Sequence, residues 1–203
     1  ISFSAGQWYH LAITFSAGNP FKIYVNGNLS YTGGNTNLYL RTVDNIIGAA
    51  NSSGANGVDG TIDQVRLFNK ALSAAEISKL YGNGAGEIAC EYTATTTDIN
   101  YPVANLAYYK LDNNSKDLCK TRGKFNQGAT FVGNSTGIGN STLQLSSTAH
   151  SVSVWIKPED LTASKWQIAV FSAFSGGPTF TLGKRPDRTT SFHYRNESSN
   201  EVY

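Results

Sequence analysis

Four apolar residues, Tyr9, Leu11, Ile13 and Phe15, alternate with Trp8, His10, Ala12 and Thr14. That period of two belongs to an extended strand with one face turned to a core, and it recurs along the chain. Phe21, Ile23 and Val25 alternate with Lys22 and Tyr24, and Asn26-Gly27 then supplies a hairpin turn before a return strand opening on Leu29 and Tyr31. Asn45-Ile-Ile-Gly48 reads as a short apolar strand entering a loose loop from Ala49 to Gly60. Ile62 and the Val65/Leu67 pair mark another strand, whose alternation slips by one residue and so predicts a bulge. Val152, Val154 and Ile156 alternate with serines and Trp155, the pattern of a half-buried strand closed by Pro158. Further strands are expected over residues 168–174, 180–183 and 191–195.

One helix interrupts this pattern. Ser73 with Glu76 three residues later forms a capping box, and Leu72 is placed to staple onto Ile77. Ile77, Leu80 and Tyr81 form the apolar stripe, and Gly82 is the expected stop, which gives a short helix over residues 72–81.

A chain of 203 residues buries a core large enough for one β-sandwich, with two small domains as the alternative. Its 20 Gly, 11 Tyr and 10 Phe, with only 15% charged residues, suit short strands joined by polar turns. A formal net charge of +2 is too small to argue for nucleic acid or an anionic membrane as partner. No apolar run approaches the roughly 18 residues that a membrane span needs. No signal-peptide pattern and no methionine are found, from which a processed chain or an excerpt of a longer one is expected.

The strand segments resemble two halves of one known fold, set in permuted order. Gly6-Gln-Trp-Tyr-His-Leu-Ala-Ile-Thr-Phe15, Lys22-Ile-Tyr-Val-Asn-Gly-Asn28 and Gly60-Thr-Ile-Asp-Gln-Val-Arg-Leu-Phe-Asn69 resemble the second half of a laminin-G-like jelly roll. Leu72 to Tyr81 is similar to that family's helix pattern, Leu-Ser-x-x-Glu-Ile-x-x-Leu-Tyr. Asn105-Leu-Ala-Tyr-Tyr-Lys-Leu-Asp112, Phe125-Asn-Gln-Gly-Ala-Thr-Phe131 and Ser151-Val-Ser-Val-Trp-Ile-Lys-Pro158 resemble the first half. The resemblance implies an all-β, antiparallel jelly-roll sandwich of the laminin-G-like, concanavalin A-like type. It divides the chain into a C-terminal half-fold (1–86), a linker (87–103) and an N-terminal half-fold (104–203). Each half is expected to be completed by the other, from the same chain or a neighbouring copy.

Motifs for catalysis are not apparent. His10, His150 and His193 each stand alone, and the family position of His10 implies packing. Related glucanases carry Glu-x-Asp-x-x-Glu on one strand, and Glu76, Glu87, Glu91, Glu159, Glu197 and Glu201 never form it. A non-enzymatic role is therefore expected. Family resemblance also implies a structural calcium, with Asp63, Asp112 and Asp117 as candidate ligands beside Asp59; the alternative is turn aspartates in Asx turns. Beyond that metal no cofactor is expected.

Trp155, Trp166 and Tyr92 are candidates for stacking on sugars, against the alternative of core or rim packing. Asn28, Asn51, Asn113, Asn134, Asn140 and Asn196 lie in Asn-x-Ser/Thr sequons, and Thr95 and Thr96 lie in a threonine-rich stretch suited to O-glycosylation; chance in an Asn-, Ser- and Thr-rich chain is the other reading. Cys90 and Cys119 flank the junction of the halves, either as a disulfide or as buried thiols.

Together these readings predict a structural repeat of an extracellular filament, such as a bacterial surface or phage and virion appendage, built from copies of itself joined head to tail. The alternative is an adhesion module that binds surface glycans with calcium.

Overall fold

A computed structural model describes residues 2–35, 44–49, 57–85, 107–109, 128–131, 138–140, 148–161, 167–174, 177–184, 190–195 and 201–202. From the first half of the chain come β1 (Tyr9–Ser16), β2 (Pro20–Val25), β3 (Asn28–Asn35), β4 (Asp44–Ile47), β5 (Gly60–Phe68) and helix α1 (Ala74–Ala85). The second half contributes β6 (Ala107–Tyr109), β7 (Ala129–Phe131), β8 (Ile138–Asn140) and β9 (Ala149–Pro158). It continues through β10 (Gln167–Phe174), β11 (Gly177–Lys184), β12 (Thr190–Arg195) and β13 (Glu201–Val202).

These strands form two antiparallel sheets. A 7-stranded sheet runs β3-β2-β1-β9-β5-β6, with β7 also paired to β5, and a 6-stranded sheet runs β13-β12-β11-β10-β4-β8. Both sheets interleave the halves. Strand β9 lies between β1 and β5, in register from Tyr9↔Ile156 to Ser16↔Ala149 on one side and from Gly60↔Pro158 to Phe68↔Ser151 on the other. Strand β4 lies between β10 and β8.

The core between the sheets follows from the alternation. Leu11, Ile13 and Phe15 of β1, Val152, Val154 and Ile156 of β9, and Ile62, Val65 and Leu67 of β5 point inward. Ile47, Ala169 and Leu182 meet them from the opposite sheet. Burying such a side chain stabilises by about 1.5–3 kcal/mol.

Local chemistry sets the turns. Asn26 and Gly27 have φ of 50° and 76°, the pair of left-handed values that a two-residue hairpin with strand-matching twist requires. The Asn26 side-chain carbonyl also accepts from the His10 backbone N–H at 2.9 Å, tying the turn to β1. The slipped alternation of β5 is a bulge between Asp63 and Arg66, where Gln64 has φ of 49°.

Two expectations need correction. Helix α1 does not end at Gly82 but continues to Ala85. Gly82 is not among the positive-φ glycines, so it stays in the helix at a propensity cost of about 1 kcal/mol instead of ending it. Strand β9 is buried on both faces rather than half-buried, because α1 covers the face opposite the core.

Candidate functional site

The face of the first sheet turned towards α1 carries the densest set of polar and aromatic side chains among the described residues. Alternation places His10, Ala12 and Thr14 there from β1, and Ser151, Ser153 and Trp155 from β9. Strand β5 adds Asp63, Arg66 and Phe68. The rows read His10–Trp155–Asp63, Ala12–Ser153–Arg66 and Thr14–Ser151–Phe68 across the three strands. Tyr24 of β2 flanks Ala12.

A capping box starts the helix that covers this face. Ser73 N–H donates to Glu76 Oε2 at 2.8 Å, and Glu76 N–H donates to Ser73 Oγ at 3.3 Å. Lys70 reinforces it with an ion pair to Glu76 Oε1 at 2.6 Å. Burial pushes the Glu76 carboxyl upward, but the bonds from Lys70 and Ser73 outweigh it and hold the group below the usual carboxylate range. Ser151 Oγ anchors the strand-to-helix connection by donating to Lys70 O at 2.8 Å and accepting from Leu72 N–H at 2.9 Å. Leu72, Ile77 and Leu80 then form a second small core with Ala12, Tyr24 and Phe68.

Farther along the helix, Tyr81 closes over Trp155 with ring centroids 5.6 Å apart and planes 21° apart. His10 lies against both rings, 5.2 Å from Trp155 and 6.1 Å from Tyr81. Its Nε2 meets Ser153 Oγ at 2.8 Å, and its Nδ1 has no hydrogen-bond partner among the described residues. Complete burial, then the nearby Arg66 guanidinium, lower the His10 pKa from 6.5 to about 3, so the ring is neutral near pH 7.

Among the described residues this Ser–His pair is the one arrangement with a catalytic look, and sequence reasoning missed it because its members lie far apart in the chain. His10 is 0% and Ser153 1% exposed, so no substrate reaches either atom in this closed state. The pair is a packed polar contact under a helix, in keeping with the packing role expected for His10. His150 is also buried, stacked on Phe15 at 5.0 Å.

Of the sequence-predicted site residues, Asp63, Trp155, Asn28 and Asn140 lie among the described residues. Asp63 is a buried strand residue beside Trp155, and Asp112 and Asp117 lie outside the described residues. No group of three or more His, Cys, Asp or Glu suited to a metal is found among the described residues. Trp155 is corrected from sugar platform to covered core residue: it is 2% exposed beneath Tyr81. Trp166 and Tyr92 lie outside the described residues, as do Cys90 and Cys119.

Of the sequon asparagines, Asn28 is exposed at the β2–β3 hairpin and Asn140 ends β8, paired with Asn45. Asn51, Asn113, Asn134 and Asn196, with Thr95 and Thr96, fall outside the described residues.

Comparison with known families gives one match. Residues 1–78 fit the model of a laminin G family described as the concanavalin A-like lectin/glucanases superfamily. No curated protein and no solved structure matches the chain. The described segments agree with this match: antiparallel sheets with one short helix. A superfamily whose description covers both lectins and glucanases fixes architecture and leaves activity open. No helix among the described residues is long and apolar enough to cross a membrane.

Proposed function

We propose that the chain, whose residues 1–78 match the family model of the concanavalin A-like lectin/glucanases superfamily, is a non-enzymatic structural repeat of an extracellular filament. In this reading successive copies join head to tail by exchanging half-folds. The observation that carries it is the position of β9 between β1 and β5. The matched segment leaves a strand-wide gap in its own sheet, and β9 fills that gap from the other half. Here β9 comes from the same chain. An identical strand from a neighbour offers the same ladder and the same apolar face, and such complementation does not close, so it propagates a fibre.

Two further features support the reading. Residues 1–85 without β9 would present β1 and β5 as bare edges, a state that chains avoid by pairing. Asn28, in a sequon, is exposed on a hairpin, where a secreted chain would carry a glycan. The reading requires no cofactor, and it assigns other copies of the chain as partners. The glycan-binding alternative loses Trp155, whose ring is covered by Tyr81.

Electron microscopy of the native material, paired with light scattering over a dilution series, tests the proposal. Fibres with an axial repeat of one sandwich per chain are expected. A compact monomer at every concentration overturns the exchange and leaves a self-closed permuted sandwich.

A further inference from the structure

We propose that helix α1 is an acid-released lid, held shut over the sheet by a neutral His10 and lifted when that ring takes up a proton. This inference is independent of the filament reading, since it concerns one folded unit.

The geometry makes His10 intolerant of charge. The ring is 0% exposed, and its Nε2 already shares one hydrogen bond with Ser153 Oγ at 2.8 Å. A second proton turns both ring nitrogens into donors, and Nδ1 has no acceptor among the described residues. The groups facing the ring do not welcome a cation. From β5 comes the Arg66 guanidinium, which repels it; the Asp63 carboxylate stands on the far side of Trp155 in the same row. From α1 comes the Tyr81 phenol, while the Tyr24 phenol of β2, which burial keeps protonated, bonds to Thr14. Lys22, farther along β2, is exposed, and β9 contributes only Ser153 and Trp155.

The lid packs on a face of its own, apart from the core between the sheets. Among the described residues, Leu72 with Ile77 and Leu80 of the helix packs on Ala12, Tyr24 and Phe68, on the face of the sheet opposite the core between the sheets. Its start is tethered by Ser151, Lys70 and the capping box, whereas Tyr81 sits near its other end, over His10 and Trp155. Opening about the Lys70–Ser73 tether therefore frees the imidazole and uncovers the Trp155 ring while the sandwich stays closed. Glu76 does not confuse the window. Its carboxyl is held below the usual range and stays ionised at pH 5, where a solvated histidine is already charged.

The test is hydrogen exchange of the full-length chain at pH 7 and pH 5, corrected for the intrinsic rate and resolved by peptide. With a closed-state His10 value of about 3 and an open-state value of 6.5, linkage raises the opening constant of α1 about 25-fold between these pH values. Peptides from β1 and β9 keep their protection, and in His10→Gln the protection of α1 is the same at both pH values. Equal loss in α1 and β9, or wild-type α1 protection that ignores pH, overturns the proposal. An NMR titration of His10 in the wild-type chain decides the matter if His10→Gln fails to fold. A ring that titrates near 6.5 while α1 stays protected also overturns it.

Discussion

Gly60→Ala isolates the seam between the two halves of the chain. Gly60 pairs with Pro158 of β9 on one side and Phe131 of β7 on the other, so the first half meets the second twice at one residue. A Cβ there would sit 2.3 Å from the Lys157 carbonyl oxygen and 2.9 Å from Pro158 Cα. Both obstacles are backbone, which cannot rotate aside as a side chain would. The strands must part, and the Thr61↔Lys157 pairing next to it is disturbed with them. Overpacking of this kind costs about 1–3 kcal/mol, and a lost ladder hydrogen bond adds about 1 kcal/mol. A loss of about 3 kcal/mol is therefore expected. Urea unfolding followed by far-UV circular dichroism reads it directly: with a slope of roughly 2 kcal/mol/M the midpoint falls by about 1.5 M. A Gly60→Ala chain within about 1 kcal/mol of the parent, at unchanged slope, would refute the claim that the ladder at this end of β5 and β9 is tight.

Other expectations are of smaller scale. Gly82→Ala, inside α1 with nothing within 4 Å of the added methyl, should raise stability by about 1 kcal/mol in the same unfolding assay. Ser73→Ala removes the cap and should lower stability by about 1 kcal/mol, read as a shift in thermal midpoint. Because the Glu76 pKa is held down in the folded chain, its contribution is present above the ordinary carboxylate value and lost as the pH falls through the lowered one; in Ser73→Ala that acid-limb dependence should shrink. Two differently labelled folded samples, mixed without denaturant, should show no energy transfer within hours, whereas samples unfolded and refolded together should show it if half-folds exchange between chains.

Local signals carried most of the fold and little of the site. Asn26-Gly27, the slipped alternation before Val65 and the Ser73/Glu76 box each specify a turn, a bulge or a helix start through residues a few positions apart. The far face of β9 was not legible in this way. Ser151, Ser153 and Trp155 look solvent-facing by type, and the helix that covers them is contributed from a distant part of the chain: Leu72 meets Ser151 across 79 positions. His10 and Ser153 meet across 143, with no motif to join them. Gly82 misled for a different reason: glycine permits a helix stop without compelling one, and its open surroundings let the last turn form.

Strand β9 is where these arguments converge. One of its faces gives Val152, Val154 and Ile156 to the core between the sheets, and the other gives Ser151, Ser153 and Trp155 to the surface beneath α1. Withdrawing it would strip three fully buried apolar side chains at about 1.5–3 kcal/mol each, break ladders on both sides and orphan the Leu72 and His10 contacts. That cost is comparable with the whole stability of an ordinary domain, about 5–15 kcal/mol. A folded sandwich therefore cannot release β9 to a neighbour without coming close to unfolding. If half-folds pair between copies, the choice is made while the chain folds, when β1 and β5 are both open and the local concentration of a second β9 competes with the chain's own.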